Sequence, residues 1–478
     1  LSGIGALGGV GVGAAVVRAV RAAGPAFLPR LSSVEVDGLV LAFTALVAVL
    51  TALLFGLLPA HRLSRGAAAD ALRSGSRGHA PDGRSGIWRF LVGTEVALAL
   101  ILLAGSGLLV RSFRSLLDQD PGFDAGDVDV LPISLPGLEY PTPADHARWA
   151  TQFLEQVESL PGVSAAGVIS AIPSEGMPNG RVELDGSPDN QAIGGYVTAS
   201  AGAFRTLDIP LLEGRLFDRR DGPDDAHVAI VSRSFADRYW PGEDAIGKSV
   251  TGGGMDSFWG ERRFARVVGV VGDVRYYGLD RDVYPTIYFP YTQRPFRLQY
   301  SANVVVESTD GDPASLAGAL RAALHSADPD VPVEIRTLSS VLLDSLGRRR
   351  FVMFVLGGFS LTTLLLAGVG IFGVVSYTVA RRSREMGIRM ALGAAPGSVR
   401  NLVMGHALRM VLLGLVVGLA GALALGRVVR SLLYQVGPDD PVSLVVAAST
   451  LAAVAILASW IPARGGTRSD PMVTMRAE

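Results

Sequence analysis

Long apolar runs without charge constrain the fold of this chain more than any other feature. Phe351–Ala380 is thirty residues without a charged side chain, and Gly38–Leu58 and Val442–Ile461 are uncharged runs of 21 and 20 residues. A helix needs roughly 20 apolar residues to cross the hydrocarbon core of a bilayer. Charged residues make up 18% of the chain, whereas soluble domains carry about 25%. The sequence therefore predicts an α-helical membrane protein.

Three further runs bring the predicted number of spans to about six. Phe90–Val110 is interrupted only by Glu95, Met410–Gly426 is short and flanked by arginines that can snorkel, and Leu1–Val17 has the length of a truncated span. The run 351–380 would be about 45 Å long as one helix, against a core of about 30 Å. It must tilt, kink at a glycine or project beyond the bilayer as a stalk.

A polar stretch of globular composition, residues 111–349, lies between the spans. Its two ends carry similar strand–helix–strand patterns, at Val128–Leu135, Asp145–Leu160 and Ala165–Ile172, and at Ser301–Glu307, Pro313–Ala327 and Val331–Ile335. Two such units around an insertion predict a split ferredoxin-like module. The middle, Tyr196–Tyr291, is rich in β-branched residues, notably at Ala226–Ser232 and Arg266–Val274. It predicts a β-rich subdomain.

Charge and cysteine content narrow the classes of function. The net charge of −1 gives no reason to expect a nucleic-acid partner, and the lack of cysteine excludes disulfides and thiolate metal sites. With alternating spans, fifteen arginines lie near one membrane face and ten near the other. Because arginine accumulates in cytoplasmic loops, the large insert is predicted outside the cytoplasm and the C-terminus inside.

A repeat 403 residues apart indicates duplication. Pro59-Ala60 to Arg65 aligns without a gap on Pro462-Ala463 to Arg468, and each copy follows a predicted span. The simpler explanation is that helix ends converge on similar residues. The favoured interpretation is a pseudo-twofold pair of transmembrane halves, as many transporters have. The chain opens inside an apolar run, so we expect it to be the C-terminal fragment of a longer protein.

A short charged segment, residues 381–394, separates the runs that end at Ala380 and begin at Met410. Here the pattern resembles the FtsX/MacB-type permeases of ABC transport systems, whose units have one span, a large extracytoplasmic domain and three more spans. The resemblance covers the whole chain and is most specific at residues 381–394, which contain the signature Glu385–Ala394. The ending from Ile461 to Pro471 is also similar to that family. The duplicated arrangement resembles the tandem acidobacterial duplicated orphan permeases.

The resemblance implies a domain organisation and a location. Residues 1–73 would be the last two spans of a first FtsX-like unit with its cytoplasmic tail, and 74–87 a cytoplasmic linker. The second unit would comprise a first span at 88–110, a MacB-like periplasmic domain at 111–349 and an FtsX-like domain with three spans at 350–478. The fold class expected is thus a helical membrane protein with a large α/β insert, composed of a ferredoxin-like porter part and a β-rich subdomain. Its location would be the bacterial inner membrane.

The expected function is that of a permease subunit in an ABC-type export or mechanotransmission complex. The resemblance implies a separate cytoplasmic ABC ATPase, with ATP-Mg on that partner and no cofactor on this chain. A periplasmic adaptor or exit-duct protein is a further possible partner. The predicted ATPase-coupling residues are Arg384, Glu385, Met386, Gly387, Ile388, Arg389, Met390, Ala391, Leu392, Gly393 and Ala394. The alternative is a non-transporting scaffold that regulates a periplasmic enzyme. No catalytic constellation stands out, so an enzyme is not expected.

Several other motifs favour structural explanations. Gly242–Ser249 matches the phosphate-loop pattern, but Trp240-Pro241 precedes it and glycines follow it, so it predicts a turn rather than an ATP site. The aspartates Asp218, Asp221, Asp224 and Asp225 predict a solvated loop rather than a calcium site. Glu95 is expected near the membrane interface or the start of its helix. Gly414 and Gly418 form a GxxxG pair that predicts close helix packing.

Overall fold

The computed structural model describes most of the chain after residue 82. The described residues are 8–11, 13–15, 17, 18, 21, 37–47, 49, 83–136, 138–185, 191–259, 263–295, 298, 302–381, 395–428, 430 and 433–466. They form two compact units, one from Leu1–Ser115 with Arg348–Glu478 and one from Leu116–Gly347. Most of the 59–65 and 462–468 repeat lies outside the described residues.

Helices and strands segregate between the two units. The helices are α1 (Gly38–Val47), α2 (Gly83–Leu117), α3 (Pro143–Glu158), α4 (Ala201–Thr206), α5 (Arg233–Tyr239), α6 (Ala317–Ala327), α7 (Leu338–Ser345), α8 (Gly347–Arg381), α9 (Pro396–Val428) and α10 (Pro441–Gly466). The strands are β1 (Val128–Ile133), β2 (Val163–Ile169), β3 (Asn179–Glu183), β4 (Gln191–Ala199), β5 (Leu211–Gly214), β6 (Val228–Ser232), β7 (Ser249–Thr251), β8 (Phe264–Val271), β9 (Thr286–Pro290), β10 (Ala302–Ser308) and β11 (Arg336–Thr337).

Four helices of the first unit are long and apolar enough to cross a membrane: α2, α8, α9 and α10. Their buried apolar residues, such as Val96, Ile371, Val411 and Leu451, form one apolar cluster. Most other apolar side chains of these helices are exposed, as expected of surfaces that face lipid. Four of the predicted spans are therefore confirmed as helices. Leu1–Val17 and Gly38–Leu58 are described only in part.

The run 351–380 forms part of one continuous helix, α8, of 35 residues. At 1.5 Å per residue such a helix is about 52 Å long, which exceeds a hydrocarbon core of about 30 Å. Its glycines do not interrupt it. The helix is thus not broken at a glycine, and tilting, a kink and projection beyond the bilayer stay the three predicted possibilities.

The second unit contains one mixed sheet of eleven strands. Its first four positions follow the order β11-β1-β10-β2, all antiparallel to their neighbours. Helix α3 connects β1 to β2, and α6 lies between β10 and β11. These connections are those of a ferredoxin-like module whose two halves are separated by an insertion, as predicted.

The two faces of this module bury different apolar clusters. On one face, Leu131 and Val304 pack with Trp149 and Phe153 of α3 and Leu320 of α6. On the other face, β-strand residues such as Val130 pack with α4 and α7. This alternation follows from the period of two along each strand. Because both faces of the sheet are buried, the sequences of these strands are nearly continuous apolar runs.

Two predicted elements differ at the end of the module. The strand predicted at Val331–Ile335 is wrong, because β11 comprises only Arg336–Thr337 and pairs there with β1. Val331 fills the core beneath α6 without strand pairing, and Pro332 has no N–H to donate to a ladder. The helix predicted from Pro313 begins instead as a 3₁₀ turn, with α6 starting at Ala317.

The inserted part continues the same sheet through β4, β9, β6, β8 and β5. It also contains the short helices α4 and α5, so it is rich in strands but not purely β. A single residue pair, Ile169 with Ala199, joins β2 to β4. The other strand pairings among the described residues lie within one part or the other.

Candidate functional site

The predicted coupling residues 384–394 lie outside the described residues, between the end of α8 at Arg381 and the start of α9 at Pro396. The structure therefore neither places nor separates their side chains. It does describe the helices on both sides of this segment. We define the four-helix bundle as α2, α8, α9 and α10, and its contacts determine what a force on the segment would move.

Helix α9 packs against α2 through the GxxxG pair, as the sequence predicts. A Cβ atom on Gly414 would lie 2.7 Å from Cγ1 of Val96 and 2.8 Å from the carbonyl oxygen of Gly93. A Cβ atom on Gly418 would lie 2.9 Å from the carbonyl oxygen of Ala97. Neither position has room for a side chain, so these glycines permit the two backbones to approach closely.

Helix α8 is tied to α2 by polar contacts within the apolar bundle. The hydroxyls of Ser106 and Ser360 lie 2.7 Å apart, and Ser360 Oγ also donates to the carbonyl oxygen of Leu102 at 3.0 Å. Elsewhere between the same two helices, the carboxylate of Glu95 lies against Gly370. A Cβ atom on Gly370 would overlap Oε2 of Glu95. Hydrogen bonds between buried hydroxyls stabilise membrane helix pairs modestly, by about 0.6 kcal/mol each.

The position of Glu95 corrects one of the two expectations drawn from the sequence, that of a place near the start of its helix; a place near the membrane interface stays a prediction. Helix α2 begins at Gly83, so Glu95 lies three turns inside the helix and not in its first turn. Stabilisation of the carboxylate by the helix dipole, which falls off within one turn, is thus excluded. The carboxylate lies instead at a contact between two helices of the bundle.

Helix α10 contacts α2 at the end of the bundle where α2 ends and α8 begins. Arg111 forms an ion pair with Asp440, and Asp440 accepts a hydrogen bond from the N–H of Ser443 at 2.8 Å. The backbone N–H of Tyr434 donates to Ser112 Oγ at 2.8 Å. Helix α2 is thus the common partner of α8, α9 and α10, because each of them contacts it directly.

This arrangement suits transmission of motion. The segment 382–395 connects α8 to α9, and both helices contact α2 directly, α8 through Ser106 and Ser360 and α9 through its close approach at Gly414. Close-packed interfaces respond to force by moving as units rather than by deforming. A displacement of the segment would therefore move the bundle helices together.

The segment that matches the phosphate-loop pattern is a turn, as predicted. Helix α5 precedes it and the short strand β7 follows, which is the reverse of the strand–loop–helix order that holds phosphates. Gly242 and Gly247 have φ values of +77° and +88°. Lys248 donates to Glu243 at 2.5 Å, so its ammonium group is engaged within the turn.

The acidic loop is not simply solvated, which corrects another prediction. Asp221 is buried and accepts two hydrogen bonds from the guanidinium of Arg215, at 2.7 and 2.8 Å. Asp218 is bound by Arg220, and this contact lowers the pKa of Asp218. Because the loop contains its own arginines, two of the four carboxylates are paired internally.

Sequence reasoning missed a buried ion pair in the inserted part of the sheet. Arg294 is fully buried, and its Nε lies 2.9 Å from Oδ1 of Asp256. Its Nη2 donates to the carbonyl oxygen of Arg263 at 3.0 Å, and its Nη1 lies 3.2 Å from Nδ1 of His227. Burial, and then the charge of Arg294, lower the pKa of His227. No spacing in the sequence signals this pair, because Asp256 comes from the 3₁₀ helix Gly253–Trp259 and Arg294 from a later loop.

A second missed feature is Asp129 on β1. It is 2% exposed, and its Oδ2 makes no hydrogen bond to any residue that the structure describes. Burial, and then the nearby charge of Asp312, raise the pKa of Asp129 to about 6. A charged residue in the middle of an apolar strand is the signal that could have identified it.

Carboxylates of Glu139, Asp328 and Asp330 also approach one another within 4.8 Å. Asp328 is buried and accepts from the hydroxyl of Tyr140 at 3.0 Å and from the N–H of Asp330 at 2.9 Å. Burial, and then the bond to Asp328, raise the pKa of Tyr140 to about 12. Both oxygens of the central carboxylate are therefore used in local hydrogen bonds.

Two family models match the chain over most of its described length. The MacB-like periplasmic core domain matches residues 96–323, and the FtsX-like permease C-terminal domain matches residues 357–471. The first covers α2 from Val96 onward and most of the α/β unit. The second covers α8 from Gly357 onward, α9, α10 and the segment between α8 and α9.

Curated relatives match at low identity. The macrolide export ATP-binding/permease protein MacB of Marinobacter nauticus is 23% identical over 69% of this chain and 50% of that protein. The pyoverdine export ATP-binding/permease protein PvdT of Pseudomonas aeruginosa is 26% identical over 57% of this chain and 40% of that protein. The chain thus spans about half the length, or less, of these relatives. Among solved structures, the periplasmic region of MacB from Actinobacillus actinomycetemcomitans covers 48% of this chain and 95% of its own, with 14% identity and a TM-score of 0.34.

Proposed function

Since this chain belongs to the FtsX/MacB-type permeases of ABC systems, we propose that it is the membrane-spanning subunit of an ATP-driven export complex. ATP binding and hydrolysis take place on a separate cytoplasmic ATPase, with ATP-Mg on that partner and no cofactor on this chain. The relatives' names, macrolide and pyoverdine export, favour a small exported molecule as the substrate to test first.

One observation carries this proposal: the segment 382–395 connects two long apolar helices that both pack on α2. A push from an ATPase on residues 384–394 would move α8 and α9 together, because Ser360 and Gly414 fix them to the same helix. Helix α8 also runs without interruption from Arg381 to Gly347, the last residue of the α/β unit. A single helix therefore connects the coupling segment to that unit.

The distribution of arginines supports one orientation of the chain in the membrane. The α/β unit lies in the periplasm, and the segment 382–395 and the C-terminus lie in the cytoplasm, consistent with the excess of arginine there. Domain boundaries stay as the sequence predicts them, with 111–349 as the periplasmic part and 350–478 as the FtsX-like part. A periplasmic adaptor or exit-duct protein would complete the export path.

The test measures ATPase activity of the chain reconstituted in lipid with a candidate ATPase partner. We expect the variant Glu385→Ala/Arg389→Ala to lose the coupling of ATP turnover to the permease while it still binds lipid and elutes as the wild type does. The matched control, Glu158→Ala/Arg321→Ala, removes the same two charge types from exposed positions of the α/β unit and should keep coupling.

Three outcomes would contradict the proposal in different ways. Coupling that survives in the Glu385→Ala/Arg389→Ala variant would show that residues 384–394 do not form the contact. Coupled ATP turnover that no exported compound stimulates, together with a stable complex with a periplasmic enzyme, would favour the scaffold alternative. Failure of all candidate ATPases to bind would refute the ATP-driven function itself.

A further inference from the structure

A group of exposed arginines lies at one end of the four-helix bundle. This end, where α2 ends and α8 begins, is also where α9 ends and α10 begins, because Gly107 of α2 lies beside Ser443 and Arg111 beside Asp440. We call it the domain-side rim and define it by five exposed arginines: Arg114, Arg348, Arg350, Arg427 and Arg430.

These arginines have no acidic partner in the described part of the chain. Arg111, their neighbour on α2, is paired with Asp440, but none of the five forms an ion pair with a described residue. In the described part of the chain, the guanidinium groups of the rim are therefore not held in ion pairs. Their presence here is unusual, because arginine is generally depleted on the non-cytoplasmic side of membrane spans, and the family model identifies the connected α/β unit as a periplasmic domain.

Apolar side chains that face outward adjoin the rim on the same helices. They are Val110 on α2, Val352 and Phe354 on α8, and Leu425 and Val428 on α9, all exposed. A ligand that contacts both the arginines and these side chains must be an amphiphile with an anionic head. Guanidinium groups bind phosphate oxygens through paired N–H donors, which an ammonium group cannot do with the same geometry.

We propose that the domain-side rim binds the phosphate groups of anionic phospholipids in the outer leaflet of the surrounding membrane. The arginines hold the head groups, and the adjoining apolar side chains contact the acyl chains. The site lies entirely within the first unit, and it does not depend on the proposed coupling to an ATPase.

The experiment measures lipid selectivity of the full chain in lipid nanodiscs. Electron spin resonance of spin-labelled phosphatidylglycerol and phosphatidylcholine gives their relative association constant at the protein surface. One arginine near a lipid head group contributes about 1 kcal/mol, which is about a fivefold preference. We expect wild type to prefer phosphatidylglycerol by about this factor, and Arg348→Gln/Arg350→Gln/Arg427→Gln to lose at least half of that preference.

One charge-matched control variant and one salt titration accompany this measurement. Arg148→Gln/Arg205→Gln/Arg321→Gln removes three exposed arginines from the α/β unit and should keep the full preference. Raising the salt from about 50 mM to about 500 mM should weaken the preference in the wild-type protein, because exposed charges are then screened. This second measurement needs no variant, so it stands if the rim variant fails to fold.

Either of two results would overturn the proposal. One is a phosphatidylglycerol preference that the rim variant keeps in full or that the α/β-unit variant loses equally. The other is complete competition by inorganic phosphate at the lipid's concentration, which would indicate a site for a soluble anion. An acidic protein partner at the rim would give a different result. It would bind the chain in nanodiscs of phosphatidylcholine alone, and the rim variant would keep the lipid preference of the wild type.

Discussion

The buried carboxylate of Asp129 should make the stability of the α/β unit depend on pH in the opposite direction from most carboxylates. Its pKa is raised from 3.8 to about 6, so the folded chain holds a proton there more tightly than the unfolded chain does. Stability from this group is present at low pH and is lost as the pH rises through about 6. The full shift of roughly two pKa units corresponds to about 3 kcal/mol.

The variant Asp129→Asn removes the titration and keeps the shape of the side chain. The difference in unfolding free energy between wild type and variant should rise by about 2 kcal/mol when the pH falls from about 7.5 to about 4.5. Using this difference cancels the titration of all other groups. Burying the amide of the Asp129→Asn variant has a free-energy cost that does not change with pH. This cost therefore does not affect the change of the difference between the two pH values.

Urea denaturation of the reconstituted full chain measures this difference. Trp149 and Trp240 are both buried in the α/β unit, so their fluorescence reports its unfolding. The control is Asp145→Asn, because a hydrogen bond from Thr142 lowers the pKa of Asp145. The wild-type advantage over that variant should not rise over the same pH interval. A flat or falling difference for Asp129→Asn would refute the reasoning.

Three further changes test the packing and the ion pairs. Gly414→Leu should lower the thermal midpoint of the bundle because no side chain fits against Val96, whereas Gly405→Leu on the same helix, with open space around it, should not. Asp256→Asn should cost about 3–5 kcal/mol of unfolding free energy by leaving buried Arg294 unpaired; an Asp218→Asn variant, which loses a surface pair, should be close to wild type. A double-mutant cycle of Ser106→Ala and Ser360→Ala should give a coupling of about 0.6 kcal/mol in bundle stability, and a coupling of zero would show that their contact contributes nothing.

The sequence predicted the parts of the fold that depend on local apolar pattern. Uncharged runs identified α2, α8, α9 and α10, and the repeated strand–helix–strand pattern identified the ferredoxin-like module, because both signals come from neighbouring residues. The strand at Val331–Ile335 was wrong since its apolar side chains are buried by tertiary packing without a pairing strand.

The polar features of the candidate site were harder to predict. Glu95 was expected near the helix start because an apolar run shows where lipid begins and not where the helix begins, which is at Gly83. The pair of Arg294 with Asp256, and that of Arg215 with Asp221, depend on how loops meet after folding. The coupling segment 384–394 stays a prediction, supported by resemblance and by the helices on either side of it.

The single residue pair that joins β2 to β4 has a consequence for the order of folding. Strands β2 and β10 are neighbours in the sheet, yet the whole inserted part of the chain separates them in sequence. Contacts so distant along the chain form slowly, because a long loop must close first. The inserted strands β6, β8 and β9 have nearer partners, and the sheet joins them to the module through the short β2–β4 contact at Ile169 and Ala199. We expect them to form first during refolding, and pulsed hydrogen exchange should detect protection there before it appears in β1 and β10. Strands β1 and β2 would then stay unpaired with β10 until that strand folds onto them.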